Sequence, residues 1–228
     1  MNVLAFKISG KFAHFRRFYT TTSPLTFQIP PFTAVKGILG AILGLEKDSN
    51  NESMNTAKIG VKLNNSVSNK KMFGMNFLDT KRGSGHIQVR LETIINPSYT
   101  IYIADEGFEY YQKLKNNLEQ NYRYYTTYLG ISEFIANIQY MGEQNTVSFE
   151  NKENVYINSL VPEEYFEEGK NISLEEGVPF EFEKVPFQMD NQRNVLSLKE
   201  FLFVPDGTAI KLKKASCIDF NGENIILC

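Results

Sequence analysis

Residues 33–44, TAVKGILGAILG, follow a double proline, Pro30 and Pro31, and carry a single charged side chain, Lys36. A helix this apolar has no fully solvated face, so it must be held between layers of a packed core. Thr33 is the expected N-cap and residues 34–43 the expected helix. Gly37, Gly40 and Gly44 are spaced i, i+3 and i+7 along one face. Each costs about 1 kcal/mol of helix propensity relative to alanine. That cost makes sense for a face pressed tightly onto a sheet, where any side chain would be in the way.

The rest of the pattern supplies such a sheet. Residues 3–9 alternate like a half-buried strand, and 16–28, rich in Thr, Ser and aromatics, read as a long ordered loop. A polar connector at 46–56 leads to a second strand at 58–63. Residues 64–85 are expected to be a long basic excursion, of a length that is usually functional or disordered. A third strand follows at 86–95, and 99–103 extends the sheet after Pro97. Residues 106–120 form a second helix, with Phe108, Tyr111, Leu114, Lys115 and Leu118 spaced for a buried face; strand returns at 134–140 and 147–149. Strand, helix, strand, strand, helix, strand is the order of an α+β, ferredoxin-like domain, the plan of RNA-recognition modules, over residues 1–150. Short β-like runs at 155–160, 180–185, 201–204 and 225–227 predict a smaller β-rich part over residues 151–228.

Several function classes lose their support in the sequence. The glycines make neither a Walker loop nor a dinucleotide turn, because no Lys-Ser/Thr follows them and the Gly-x-Gly-x-x-Gly spacing is absent. Two histidines and two cysteines, Cys217 and Cys228, form no metal-ligand spacing, and no Gly-x-Ser-x-Gly elbow occurs. Neither a metal nor a small-molecule cofactor is expected. The longest apolar run, 37–45, is nine residues, far short of a bilayer crossing, and the N-terminus lacks the order of a signal peptide. A cytoplasmic protein without membrane contact is the expectation.

Charge is unevenly placed. Residues 1–90 hold thirteen Lys/Arg and four Asp/Glu, whereas 91–228 hold eleven and twenty-two. Two surfaces for two kinds of partner, or chance unevenness on a solvated surface, both fit this pattern. Arg16, Arg17 and Lys36, interleaved with Phe15, Phe18 and Tyr19, have the makeup of a single-strand RNA surface: guanidinium for phosphate, rings for bases, hydroxyls for phosphate or 2′-OH. The same cluster is also compatible with ordinary surface packing. His14 and Thr33, with Lys70, Lys71, Lys81 and Arg82 of the excursion, extend the candidate RNA-binding set. His14 and His86, with Tyr19, are the groups from which an RNA-cleaving site would be built, although a lone histidine near a strand end also serves structure.

Residues 14–45, HFRRFYTTTSPLTFQIPPFTAVKGILGAILGL, closely resemble the N-terminal signature of the Cas five family of CRISPR-associated proteins. Phe15-Arg16, the Thr/Ser run to Ser23, Thr26, Pro30-Pro31, Thr33 and Gly37 through Gly44 carry the resemblance, which is greatest to subtype I-B. Residues 128–138, YLGISEFIANI, are similar to a later block of the family, and the two stretches cover about a fifth of the chain. The resemblance implies a RAMP-type subunit of a type I Cascade complex that grips the 5′ handle of crRNA, beside the backbone subunit and the large subunit. It implies that the excursion is a thumb-like projection. Family members of subtype I-C cleave precursor RNA with a Tyr and an adjacent Lys-His pair; this chain has no Lys-His dipeptide. A non-catalytic role follows, with a metal-independent endoribonuclease as the alternative.

Overall fold

A computed structural model describes residues 1–20, 24–46, 51–79, 85–145, 148–166, 171–173 and 177–228. Val3–Ser9 form β1; three two-residue strands follow, β2 (Phe12–Ala13), β3 (Phe15–Arg16) and β4 (Thr26–Phe27). Helix α1 (Phe32–Leu43) and a one-turn helix α2 (Asn51–Met54) precede β5 (Ile59–Leu63). Two long strands, β6 (Lys70–Asp79) and β7 (Gly85–Ile95), lead to β8 (Ser98–Ala104), α3 (Tyr111–Glu119) and β9 (Asn137–Gln144). Beyond them come β10 (Glu150–Ile157), β11 (Val161–Pro162), β12 (Glu181–Met189), β13 (Val195–Phe203), β14 (Ile210–Phe220) and β15 (Glu223–Ile225).

The central sheet is antiparallel in the order β5-β8-β1-β9. Side chains alternate across a strand, so Leu4, Phe6 and Ile8 of β1 join Leu39, Ile42 and Leu114 of the helices in one core. Burying each such side chain contributes about 1.5–3 kcal/mol. Val3 and Ala5 face the other way, against Ile218, Phe220, Ile225 and Leu227. Both faces of the sheet are therefore covered, the second by β14 and β15. The outer edge of β5 is closed too: Ile59 exchanges backbone hydrogen bonds of 2.8 and 3.1 Å with Cys228, and Leu160 N–H donates to the Val61 carbonyl at 2.8 Å. A Cβ on Gly60 would lie 2.7 Å from Ile225 Cγ2, so that close approach requires glycine.

The β12–β13 hairpin packs on the far side of α1, where Phe32 stacks on Phe201 with centroids 4.7 Å apart. The main core includes Leu160, Val185, Phe201 and Phe203 from beyond residue 150. A further cluster, with Val155, Ile157, Leu202, Leu212 and Cys217, lies among the late strands.

Several local expectations are corrected. Pro31, extended at φ −54°, ψ 142°, is the N-cap of α1, and its carbonyl accepts the Ala34 and Val35 N–H groups at 2.9 and 3.0 Å; Thr33 falls inside the first turn. The 16–28 loop closes as a two-stranded ribbon, Phe15 opposite Phe27 and Arg16 opposite Thr26. Within the 64–85 excursion, residues 70–79 form a strand, β6, which pairs with β7 from Lys70–Ile94 to Asp79–Gly85. The distal part of β7 is exposed and β7 lies in a separate sheet, β2-β7-β6, so it is not a strand of the central sheet; β8, buried along all seven residues, takes that place. Strand β14, eleven residues long, had no counterpart among the expected runs.

The glycine face is the largest correction. Phe32, Val35, Leu39 and Ile42 define the buried stripe of α1, which turns Gly37 and Gly40 away from the core. A Cβ on either glycine would meet nothing within 4 Å. Gly44 alone is constrained, as a left-handed C-cap (φ 74°) whose Cβ would stand 2.5 Å from the Tyr124 ring.

Candidate nucleic-acid interface

The N-terminal ribbon is braced by Thr26. Its hydroxyl accepts the Phe15 N–H at 2.9 Å, its carbonyl accepts Arg17 Nε at 3.1 Å, and its N–H donates to Glu92 Oε2 at 3.0 Å. His14 is buried, with Nδ1 2.7 Å from the Glu92 carbonyl oxygen, and burial lowers its pKa from the ordinary imidazole value. Arg17 turns inward and donates to Glu183 Oε1 at 2.5 Å. The other Glu183 oxygen accepts the Gln28 and Ile29 N–H groups at 2.6 and 3.1 Å. Burial raises the Glu183 pKa, against the pull of the Ile29 N–H and the Arg17 cation. Arg16 points to solvent, and Phe18 and Tyr19 are 58% and 59% exposed.

Where the glycine face of α1 opens, a groove of about 610 Å³ runs beside the helix. Thr33, Lys36, Gly37 and Gly40 line its helix side, and Tyr125–Tyr128 form one wall. Met189 and Arg193, at the turn joining β12 to β13, contribute the other. The tyrosine wall is tied to α1: Tyr125 N–H donates to the Ala41 carbonyl at 2.9 Å and Asn117 Nδ2 to Ile42 at 3.0 Å. Tyr125 and Tyr128 remain 48% and 45% exposed, with their rings available for stacking. Gly130 (φ 95°) closes one end. A Cβ there would lie 1.8 Å from the His14 carbonyl oxygen, so only glycine lets this turn meet the N-terminal ribbon. Arg16 is two strand residues, about 7 Å, beyond that contact.

The expected site residues thus divide. Arg16 and Tyr19 are exposed on the ribbon, and Thr33 and Lys36 belong to the groove. His14 and Arg17 serve the interior. Lys70 lies 3.7 Å from Glu92, and Lys71 is exposed with Nζ 5.5 Å from the Phe73 ring. Lys81 and Arg82 lie outside the described residues. His86 is exposed on β7, six residues or about 20 Å along the strand from Glu92, the partner of His14, so the two histidines do not converge. Among the described residues no group of three or more His, Cys, Asp or Glu has metal-binding geometry. Both cysteines are free thiols.

Part of the charge asymmetry is spent inside the molecule. Arg17–Glu183, Lys62–Glu223, Lys70–Glu92 and Lys58–Glu106 all join the basic first part to the acidic remainder. Tyr125 and Arg193 were missing from the sequence-derived set. The signal available for the first was the run YRYYTTY at 122–128, four tyrosines and two threonines in seven residues.

Two helices on one face of a four-stranded antiparallel sheet, with a β-rich remainder, make an α+β fold. Residues 3–195 match the family CRISPR-associated protein (Cas_Cas5), and the chain belongs to that family. Three solved structures share the fold. A chain of a CRISPR RNA-guided surveillance complex aligns over 92% of this chain and 91% of its own, at 10% identity and TM-score 0.56. A CRISPR protein from Archaeoglobus fulgidus aligns over 99% and 98%, at 14% identity and TM-score 0.53. A chain of a Type III-B Cmr-beta complex, bound to cognate target RNA and AMPPnP, aligns over 92% and 86%, at 10% identity and TM-score 0.54. No curated protein matches the sequence. Among the described residues no helix is long and apolar enough to cross a membrane.

Proposed function

We propose that this chain is a subunit of a type I CRISPR surveillance complex, of subtype I-B, that holds the 5′ handle of crRNA without cutting it. The observation that carries the reading is the groove on the glycine face of α1, walled by Tyr125 and Tyr128, with Gly130 at its end packed against the ribbon bearing Arg16. Rings stack bases irrespective of sequence, hydroxyls reach phosphate or 2′-OH, and an exposed guanidinium pairs with phosphate. The strand order β5-β8-β1-β9 around α1 and α3 supports the ferredoxin-like plan for the first part of the chain. Because β14 and β15 cover the second sheet face, RNA is held beside α1 and not on the open sheet used by RNA-recognition modules. The backbone and large subunits of the complex are the protein partners under this reading.

Tyr125→Ala with Tyr128→Ala tests it. Loss of two stacking rings weakens binding of a single-stranded handle RNA by about 1–3 kcal/mol per base, with the fold retained. Unchanged affinity would remove the groove from the interface. For the absence of cleavage, labelled precursor RNA incubated with the protein in EDTA stays intact. A single discrete cut, abolished by His14→Ala or His86→Ala, would establish the endoribonuclease instead.

A further inference from the structure

Lys36 is 6% exposed at the side of the groove. Its ammonium donates to Asn55 Oδ1 and to the Phe187 carbonyl oxygen, both at 3.0 Å, and lies 5.1 Å from the Phe187 ring centroid. Those two acceptors are neutral, and an ammonium has three donors. Among the described residues no carboxylate forms an ion pair with it. Buried charges are ordinarily paired, so this one is electrostatically incomplete. The groups around it do not complete it. Lys199, from β13, sits over the same Phe187 ring at 4.9 Å and is itself paired with Glu164 at 2.5 Å. The Cys228 thiol is pushed up to about 12 by burial and so is neutral near pH 7. Glu46 and Arg193 line the same groove, while Thr33, Gly37 and Gly40, its neighbours on α1, carry no charge. Burial lowers the Lys36 pKa to about 8, against a smaller raising effect from Cys228.

The approach to Lys36 has a definite shape. Gly37 and Gly40 leave the helix surface open, wide enough for a tetrahedral anion to come against it, and exposed rings stand opposite for whatever flanks that anion. We propose that Lys36 is a phosphate-binding residue whose counter-ion is an RNA phosphate lying along the Gly37–Gly40 face. This rests on the RNA reading. The phosphate is either an internal diester or a 5′-terminal monoester.

The test is fluorescence anisotropy of handle-length single-stranded RNA with a 5′-hydroxyl or a 5′-phosphate, at pH 7.0 and 8.5. The proteins are the intact chain, Lys36→Arg, Lys36→Met and Arg16→Ala, each checked for an unchanged melting transition. Wild-type affinity falls about fourfold over that interval, because a lysine titrating near 8 must be charged to bind. Lys36→Arg binds without that pH dependence, since guanidinium stays protonated. Lys36→Met loses about tenfold in affinity at pH 7.0, and its pH dependence disappears. Gain of affinity from a 5′-phosphate, lost in Lys36→Met, identifies the terminal monoester; equal binding of both RNAs identifies an internal diester. If Lys36→Met keeps wild-type affinity and pH profile while Arg16→Ala weakens binding, the lysine proposal is overturned and the RNA reading stands. If the wild type binds neither RNA, both are overturned.

Discussion

Arg16 and Arg17 are neighbours with opposite fates. Arg16 faces solvent, whereas Arg17 is drawn inward to Glu183. Arg16→Ala is expected to leave the melting transition in place and to lower the slope of log affinity against log salt by about one, the signature of one lost phosphate contact. An unchanged slope would take Arg16 off the RNA. Arg17→Ala leaves a buried carboxylate without its cation and costs about 3 kcal/mol in urea unfolding, so a double arginine mutant would confuse folding with binding. The folded pKa of Glu183 lies above its ordinary value. Its contribution to stability is therefore fully present in acid and lost as pH rises through the folded value. Removing Arg17 raises that value further, so the deficit of Arg17→Ala is smaller at pH 5 than at pH 7.

At the level of elements, α1 shows how far the pattern was legible. Its existence and its length to within two residues follow from the apolar run after the double proline. The role of its glycines did not follow, because a missing side chain marks either a tight contact or an opening, and only neighbours distinguish the two. The structure chooses the opening for Gly37 and Gly40 and the tight contact for Gly44. Gly37→Ala with Gly40→Ala should consequently raise helix stability by about 2 kcal/mol, the reverse of what a buried glycine face requires. The two methyl groups intrude on the groove, so RNA affinity falls while the melting temperature rises. A stabilised protein with unaltered affinity would place the RNA elsewhere. The inward partners of Arg17 and His14 were not legible for a related reason: Glu183 and Glu92 stand 166 and 78 residues away. Local composition carries no record of such pairs.

Across the whole molecule, late strands complete what early ones begin. The C-terminal segment closes the β5 edge, β14 and β15 cover the second sheet face, and the β12–β13 turn supplies the groove wall opposite Tyr125. The short β-like runs after residue 150 pointed to strands, but their covering role depends on contacts across the length of the chain. Four ion pairs joining residues 1–90 to residues 91–228 show why the basic first part is not simply a free basic surface. Under the proposed function the RNA surface is narrow: the Arg16–Tyr19 ribbon and the groove. Ultraviolet cross-linking of the purified protein to handle RNA, followed by mass spectrometry of the adducted peptides, reads this surface directly. The account predicts adducts within residues 122–130 and 14–19, removed by competing unlabelled handle. Adducts confined to the late strands, or none at a concentration where the RNA is bound, would contradict it.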